Sequence, residues 1–420
     1  MIALIQVRSE TSSTELIAGK PLLIWQVESL VASGVAKIII AFPKGREDVK
    51  AYLGDGSAFH TSISYIEESR PVGTGGVMYY AAKFIKEDFL YLYDDLVLDI
   101  DFERLLKFHK KHHAIITAYA SPVSNALEED MLVVDSLDRV INVLEKSSPR
   151  EIFYENLACK GVYAISRYLL DTFDGLTAPM KIDFEQELFL PTAIAEGAYA
   201  YRGAEYIQNV AKEKAKEDLA SGLVASRNVR RKQKAIFLDR DGELNVFGDY
   251  VVHPDMLKLK EDAASALRRI NESGYLAICI TNQPIVARGK VSESVLHEIH
   301  WKLQDTLGEQ GAYLDDLFYC PHFPEKGEEG EVAELKIDCD CRKPKIGMLL
   351  AAAKKYNIDL SSSWFVGDTC QDVQTGINAN CRTVMLTSGD PNPAKKYPDA
   401  KADLICEGLE EAVEYILSNS

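Results

Sequence analysis

Four soft metal ligands stand in two tight pairs, Cys320-Pro321-His322 and Cys339-Asp340-Cys341, and Arg342-Lys343-Pro344 follows the second pair at once. Three thiolates and an imidazole complete a tetrahedral zinc set and leave no coordination position for water, which predicts a closed site that holds a loop in place. The basic pair at its end points to an anion met nearby. Upstream, the apolar run 235–238 ends in Asp239-Arg240-Asp241-Gly242. Two carboxylates at i and i+2 on the end of a buried parallel strand emerge into the crevice where α/β sheets bind ligands. One can attack a phosphoryl group to form an aspartyl phosphate; the other can protonate the leaving oxygen and then activate water. Alone, the motif reads equally as a solvated Asp-Gly turn. Three other segments favour the chemistry. Run 276–280 ends in Thr281-Asn282-Gln283, suited to gripping phosphate oxygens, and Lys343 can neutralise a transferring phosphoryl group. Run 364–366 leads into Gly367-Asp368-Thr369-Cys370-Gln371-Asp372. Magnesium takes oxygen ligands and keeps several waters, so Asp239, the Asp241 carbonyl, Asp368 and a substrate phosphate suffice. Asp372 either joins that set or caps its loop.

Positioning these groups takes a sheet covered by helices. Short apolar runs alternate with amphipathic helical stretches along the chain, which predicts α/β architecture. Runs 2–5, 38–42, 89–92 and 115–118 read as strands of one series, and 235–238, 276–280 and 364–366 as strands of a second. A length of 420 residues predicts two domains. The polar stretch 221–233, with Arg227, Arg230, Arg231 and Lys232, reads as a solvated hinge; the expected division is 1–223, a linker over 224–233, and 234–420. A net charge of −17 argues against nucleic acid as the main partner, because phosphate backbones require a basic surface. A small phosphorylated ligand is still compatible with a locally basic or metal-bearing pocket. No apolar stretch approaches the ~20 residues of a membrane span, and no signal peptide is visible. Of eight cysteines, three fall in the paired segment and the rest are scattered, which suits a reducing cytoplasm better than a disulfide framework.

Taken in order, Phe237-Leu238-Asp239-Arg240-Asp241-Gly242, Thr281-Asn282-Gln283, Ala287-Arg288-Gly289 and the Cys/His segments with Arg342-Lys343-Pro344 resemble the haloacid-dehalogenase-like phosphatases. Residues 234–386 look most like the zinc-bearing subfamily that contains heptose 1,7-bisphosphate 7-phosphatases and histidinol phosphatases. The resemblance implies that Asp239 is the nucleophile and Asp241 the general acid/base, with Thr281 and Lys343 holding the transferring phosphoryl. Asn282, Arg288 and Arg342 would contact substrate. Asp239, Asp241 and Asp368 would hold magnesium, and Cys320, His322, Cys339 and Cys341 structural zinc. One residue departs from the pattern: Glu243 stands where the family usually has threonine, placing a carboxylate beside the nucleophile.

Residues 1–223 resemble sugar-1-phosphate nucleotidyltransferases, most closely those that make GDP-heptose. The carrying residues are Ile17-Ala18-Gly19-Lys20-Pro21, Val72-Gly73-Thr74-Gly75-Gly76, Asp94-Asp95, Glu145-Lys146 and Gly161-Val162-Tyr163. The family's glycine-rich phosphate loop is absent. Its place is taken by residues 6–14, where Glu10 would face a triphosphate with the wrong sign. Asn209 stands where the family carries a metal-binding aspartate, and Cys159-Lys160-Gly161 replaces an asparagine and two glycines. Gly73–Gly76 and Glu67-Glu68, the base region in relatives, then reduce to a turn and a solvated charged surface. The expected fold is therefore α/β with two doubly wound domains: a nucleotidyltransferase-like, Rossmann-type domain, then a haloacid-dehalogenase-like Rossmannoid domain with a zinc loop. The expected function is a magnesium-dependent phosphatase acting on the 7-phosphate of a heptose 1,7-bisphosphate, a small phosphorylated sugar. The N-terminal domain is expected to be catalytically degenerate, a scaffold or homo-oligomerisation platform. Histidinol phosphate is the alternative substrate; a bifunctional phosphatase/guanylyltransferase and a non-catalytic sugar-nucleotide-binding regulator are the alternative functions.

Overall fold

In a computed structural model of the chain, the structure describes residues 1–8, 12–150, 152–211, 213–327 and 329–419. Glu10 lies outside the described residues. The described residues divide into two units. One comprises Met1–Ser121, Asp130–Glu145 and Leu157–Arg230, the other Pro122–Glu129, Lys146–Asn156 and Arg231–Ser420.

In the second unit, Lys234–Leu238 is apolar after its first residue, the composition of a strand covered on both faces. It lies inside a six-stranded, wholly parallel sheet. To one side stand Tyr275–Asn282 and then Asp316–Cys320; to the other stand Trp364–Gly367, Arg382–Leu386 and Leu404–Cys406. Strand order therefore reverses between Lys234–Leu238 and Trp364–Gly367. At such a switch point the connections leave in opposite directions and open a crevice beyond the strands' carboxyl ends. The helix Glu293–Glu309 starts at Ser292, whose hydroxyl accepts the Val295 N–H, and buries Leu296, Ile299, Leu303 and Leu307. That spacing sets one apolar stripe against the sheet; truncating Leu303 to alanine would cost about 2–5 kcal/mol.

The first unit is built on a nine-stranded sheet. Phe89–Tyr93, Ile2–Gln6, Lys37–Pro43 and Ser62–Glu68 run parallel, with Gln6 opposite both Tyr93 and Ala41. Ala158–Ile165 joins Phe89–Tyr93 antiparallel, so this sheet is mixed. The run expected at 115–118 forms Ile116–Ser121, paired to Ala158–Ile165 and to Ala198–Arg202.

The stretch expected as a solvated hinge is tied down instead. Leu223–Ser226 is helical, and Arg227, Asn228, Val229 and Gln233 are buried. Their polar groups find partners: the Asn228 amide and the Arg230 guanidinium donate to Asp99, and Gln233 exchanges backbone bonds with Asn357 and Asp359. A polar composition did not mean exposure, because fixed acceptors such as Asp99 await Asn228 and Arg230. Glu68, expected on a solvated surface, is buried too and accepts from Gln6. No helix among the described residues is long and apolar enough to cross a membrane.

Candidate active site

Asp239 follows Leu238 directly, and its amide donates to the Val366 carbonyl, which ties the ends of the two switch-point strands together. Lys343 reaches into the same place. Its ammonium lies 2.8 Å from Asp239 Oδ2 and 2.6 Å from Asp372 Oδ1 and is almost wholly buried. The lysine backbone is clamped by Asn282, whose Oδ1 accepts the Lys343 N–H at 3.0 Å while its Nδ2 donates to the Lys343 carbonyl at 3.3 Å. Asp372 caps its loop, forming a reciprocal cap with Thr369 at the start of the helix Cys370–Asn378, and it also binds Lys343. Asp368 is packed from two sides by backbone. A Cβ on Gly242, whose φ is +106°, would fall 2.0 Å from Asp368 Oδ2, and one on Gly389 would fall 2.2 Å from it. Ligand oxygens of Asp239, Asp368 and Asp372 all lie within 4.8 Å of one another. A cluster of hard oxygen donors is what magnesium takes.

The Asp241 carboxylate stands outside that set. Arg240, fully buried, donates to both of its oxygens, and the amides of Asn245 and Gln283 add bonds of 3.0 and 2.8 Å. Asp241 can therefore offer a metal only its backbone carbonyl. Thr281 is buried, its hydroxyl accepting from Gln283 at 2.9 Å, which leaves the O–H to donate elsewhere. Arg240 is a part of the site that sequence reading passed over, and Gln283 was read only as one residue of a phosphate-gripping strand end, not as a partner of Asp241.

Electrostatics sort the carboxyls. Burial pushes Asp239 up to about 6, though Lys343 opposes the rise. Burial, with Asp372 and Asp239 beside it, lifts Asp368 to about 8. Burial acts on Asp241 in the same sense, but Arg240, Asn245 and Gln283 outweigh it and hold that carboxyl below the usual range. Glu243 goes furthest. Burial first, then Asp368, Asp239 and Asp372, drives its carboxyl well above normal.

Cys320, His322, Cys339 and Cys341 converge. The three sulfurs lie 3.1–3.5 Å apart, and His322 Nδ1 is 3.7 Å from Cys320 and 3.2 Å from Cys341. A tetrahedron with metal–sulfur bonds of about 2.3 Å has edges of roughly 3.7 Å, so the set fits zinc with slight expansion. Beyond it, Phe323 is faced by three cations: the Arg288 guanidinium at 4.3 Å, Arg342 at 5.0 Å and the Lys336 ammonium at 5.0 Å from the ring centre. Arg342 also donates to the His322 carbonyl, and Lys336 pairs with Glu331 at 3.1 Å. Nothing in sequence spacing marked Phe323 or Lys336, because an aromatic platform is assembled only by folding.

In the first unit, Asp95 is already engaged. Arg8 pairs with it at 2.5 Å while lying 3.8 Å over the Tyr93 ring, and Asn209 Nδ2 donates to the same oxygen at 2.9 Å. The Gly73–Gly76 segment starts the helix Gly73–Ala81 and is filled from above. A Cβ on Gly73 or Gly76 would fall within 2.4 Å of the Ile182 or Met180 carbonyl, and the Gly75 amide is bonded to Ile182.

A nucleotidyl transferase family model matches residues 13–302, running past the end of the first unit, and a HAD-hydrolase-like model matches residues 340–412. The D-glycero-beta-D-manno-heptose-1,7-bisphosphate 7-phosphatase of Haemophilus ducreyi is 38% identical over 186 residues, 44% of this chain and 98% of that protein. The crystal structure of D,D-heptose 1.7-bisphosphate phosphatase from B. bronchiseptica, complexed with magnesium and phosphate, is similar over 45% of this chain and all of that one, with 31% identity and a TM-score of 0.39. HddC from Yersinia pseudotuberculosis is similar over 52% of this chain and 99% of its own, with 20% identity and a TM-score of 0.44. A strand-end carboxylate, a buried lysine and a metal-fitting Cys/His loop thus occur in a chain whose relatives are named phosphatases. The chain belongs to the nucleotidyl transferase family and, through its second unit, to the HAD-hydrolase-like phosphoric monoester hydrolases.

Proposed function

We propose that the second unit removes the 7-phosphate of D-glycero-D-manno-heptose 1,7-bisphosphate through a phosphoryl-enzyme on Asp239. The observation that carries the reading is Lys343, buried and bridging Asp239 and Asp372 at the switch point. An Asp239 oxygen bonds to phosphorus as the bond to the sugar oxygen breaks, and Asp241 delivers a proton to that leaving oxygen. Water then attacks phosphorus while Asp241 takes its proton, releasing inorganic phosphate and the free Asp239 carboxylate. Lys343 and the Thr281 hydroxyl face the phosphoryl oxygens throughout. Magnesium held by Asp239, the Asp241 carbonyl and Asp368 would supply charge neutralisation on the phosphoryl group. Arg240 keeps Asp241 ionised at rest, which favours the second step; the proton for the first has to enter with the protonated substrate or with water. Arg288 and Arg342 would meet the rest of the substrate beside Phe323, and zinc on the Cys/His set would fix the loop that carries Lys343.

In the first unit, Arg8 and Asn209 occupy Asp95, which supports a domain that no longer transfers nucleotides. The test of the main reading is phosphate release from both anomers of the heptose bisphosphate and from histidinol phosphate, with Mg2+. Release from a heptose bisphosphate that is lost in Asp239→Asn is expected; faster turnover of histidinol phosphate would refute the substrate assignment.

A further inference from the structure

Lys260 ties together the two stretches of backbone that close on Asp368. The first is the turn after Asp239. There the Gly242 amide donates to Asn245, Leu244 and Asn245 donate to the Arg240 carbonyl, and a Cβ on Gly242 would fall 2.0 Å from Asp368 Oδ2. The second follows the strand Arg382–Leu386. Thr387 and Ser388 donate their amides to Cys406 and Glu407, a Cβ on Gly389 would fall 2.2 Å from Asp368 Oδ2, and the Asp390 amide donates to that oxygen at 2.7 Å. The Asp368 carboxylate thus takes its orientation from two separate segments. The Lys260 ammonium donates to the Gly242 carbonyl at 2.8 Å and to the Ser388 hydroxyl at 2.7 Å, one bond to each segment. Its own amide donates to the Leu244 carbonyl, which fixes the lysine to the turn. An ammonium with three rotatable donors suits a bridge between two acceptors at different angles.

We propose that Lys260 is a positioning residue of the divalent-cation site: by joining the Gly242 turn to segment 388–390, it holds the Asp368 carboxylate at the angle that a metal ion takes. Lys260 touches neither substrate nor metal in this role. Loss of the ammonium lets the two segments part, so the carboxylate turns more freely and the ion is held less tightly. A neutral side chain of similar length cannot make the bridge; a guanidinium can. The inference rests on the phosphatase reading for the use made of the metal, and not for the geometry of the bridge.

Calorimetric titration of Mg2+ into the whole, zinc-loaded chain without substrate tests it, comparing wild type with Lys260→Met, Lys260→Arg, Ser388→Ala and the Lys260→Met/Ser388→Ala pair. Lys260→Met should weaken the Mg2+ Kd about tenfold, within what one charge-assisted hydrogen bond can supply. Ser388→Ala should weaken it less, and the double variant no more than Lys260→Met, since both changes cut one bridge. Arginine should recover most of the loss. Before any Mg2+ is added, the Asp390 amide should exchange with deuterium faster in Lys260→Met than in wild type. A wild-type Kd in Lys260→Met would overturn the proposal, as would effects of the two changes that simply add. Ser388 is exposed, so an unchanged Kd in Ser388→Ala decides against the bridge if Lys260→Met does not fold. A wild type that binds Mg2+ yet releases no phosphate would instead sink the phosphatase reading and leave the bridge standing.

Discussion

Single carboxyls in this protein are tuned by what surrounds them, and Glu205 shows this away from the phosphatase residues. Its Oε1 accepts the amides of Asp101 at 2.8 Å and Val229 at 3.4 Å, and its Oε2 accepts the Tyr119 hydroxyl. Burial outweighs those bonds and lifts the carboxyl from 4.5 to about 7. The sign follows from linkage. A carboxyl raised in the folded state binds its proton more tightly folded than unfolded, so its contribution to stability is greatest below pH 4.5 and is lost as pH rises to about 7. Denaturant unfolding of wild type against Glu205→Gln across that window should show a wild-type decline, at most about 3 kcal/mol, that the variant lacks; parallel curves would contradict it. At this scale the sequence was readable where chemistry demands particular residue types at particular spacing. Asp239 stands at a strand end beside Lys343, and the paired Cys/His segments converge, arrangements that spacing alone suggested. Phe323 was not readable, and Gln283 only as part of a strand end, since their roles depend on neighbours supplied by distant segments; Arg240 turns back onto its own neighbour Asp241, which no spacing announces.

Among elements, the switch point and the Cys/His loop do most to build the site. The loop meets the sheet through Asn282, which holds the Lys343 backbone from both sides, and through Arg342, which donates to the His322 carbonyl. Removing zinc should therefore loosen Lys343 as well as the loop. Thiol-selective chelation is expected to abolish phosphate release in step with the loss of about one zinc per chain, and restored zinc should recover it. Full turnover in zinc-free protein would show that the loop plays no part in placing the lysine. Four strands of the nine-stranded sheet and three of the six-stranded one were legible as apolar runs to within three residues, and the others were not. The polarity of 221–233 misled, because hydrogen-bonding capacity was read as hydration.

The whole molecule joins two α/β units of unequal chemical completeness. In the first, a guanidinium and a neutral amide sit on Asp95, and the Gly73–Gly76 backbone is covered by residues 180–182. Calorimetry with GTP and Mg2+ should show no binding; micromolar binding with GDP-sugar formation would establish a bifunctional enzyme instead. The division of the chain was legible only in outline. Segments 122–129 and 146–156 belong with the second unit although they interrupt the first in sequence. Arg150 ties the two segments to each other by bonding to Ala126 and Glu129, and the Asn156 amide meets Gln304 of the same unit, contacts that no local pattern announces.

Lys343 is held by two carboxylates, only one of which is proposed to react. When Asp239 becomes an acyl phosphate its carboxylate charge is lost, and on that side the lysine meets the phosphoryl oxygens in its place, so this anchor changes with each half-reaction. Asp372, fixed at the head of its helix by Thr369, keeps its charge through both. The ammonium thus has a permanent tether and a changing one, and it is still in place when the hydrolysing water arrives.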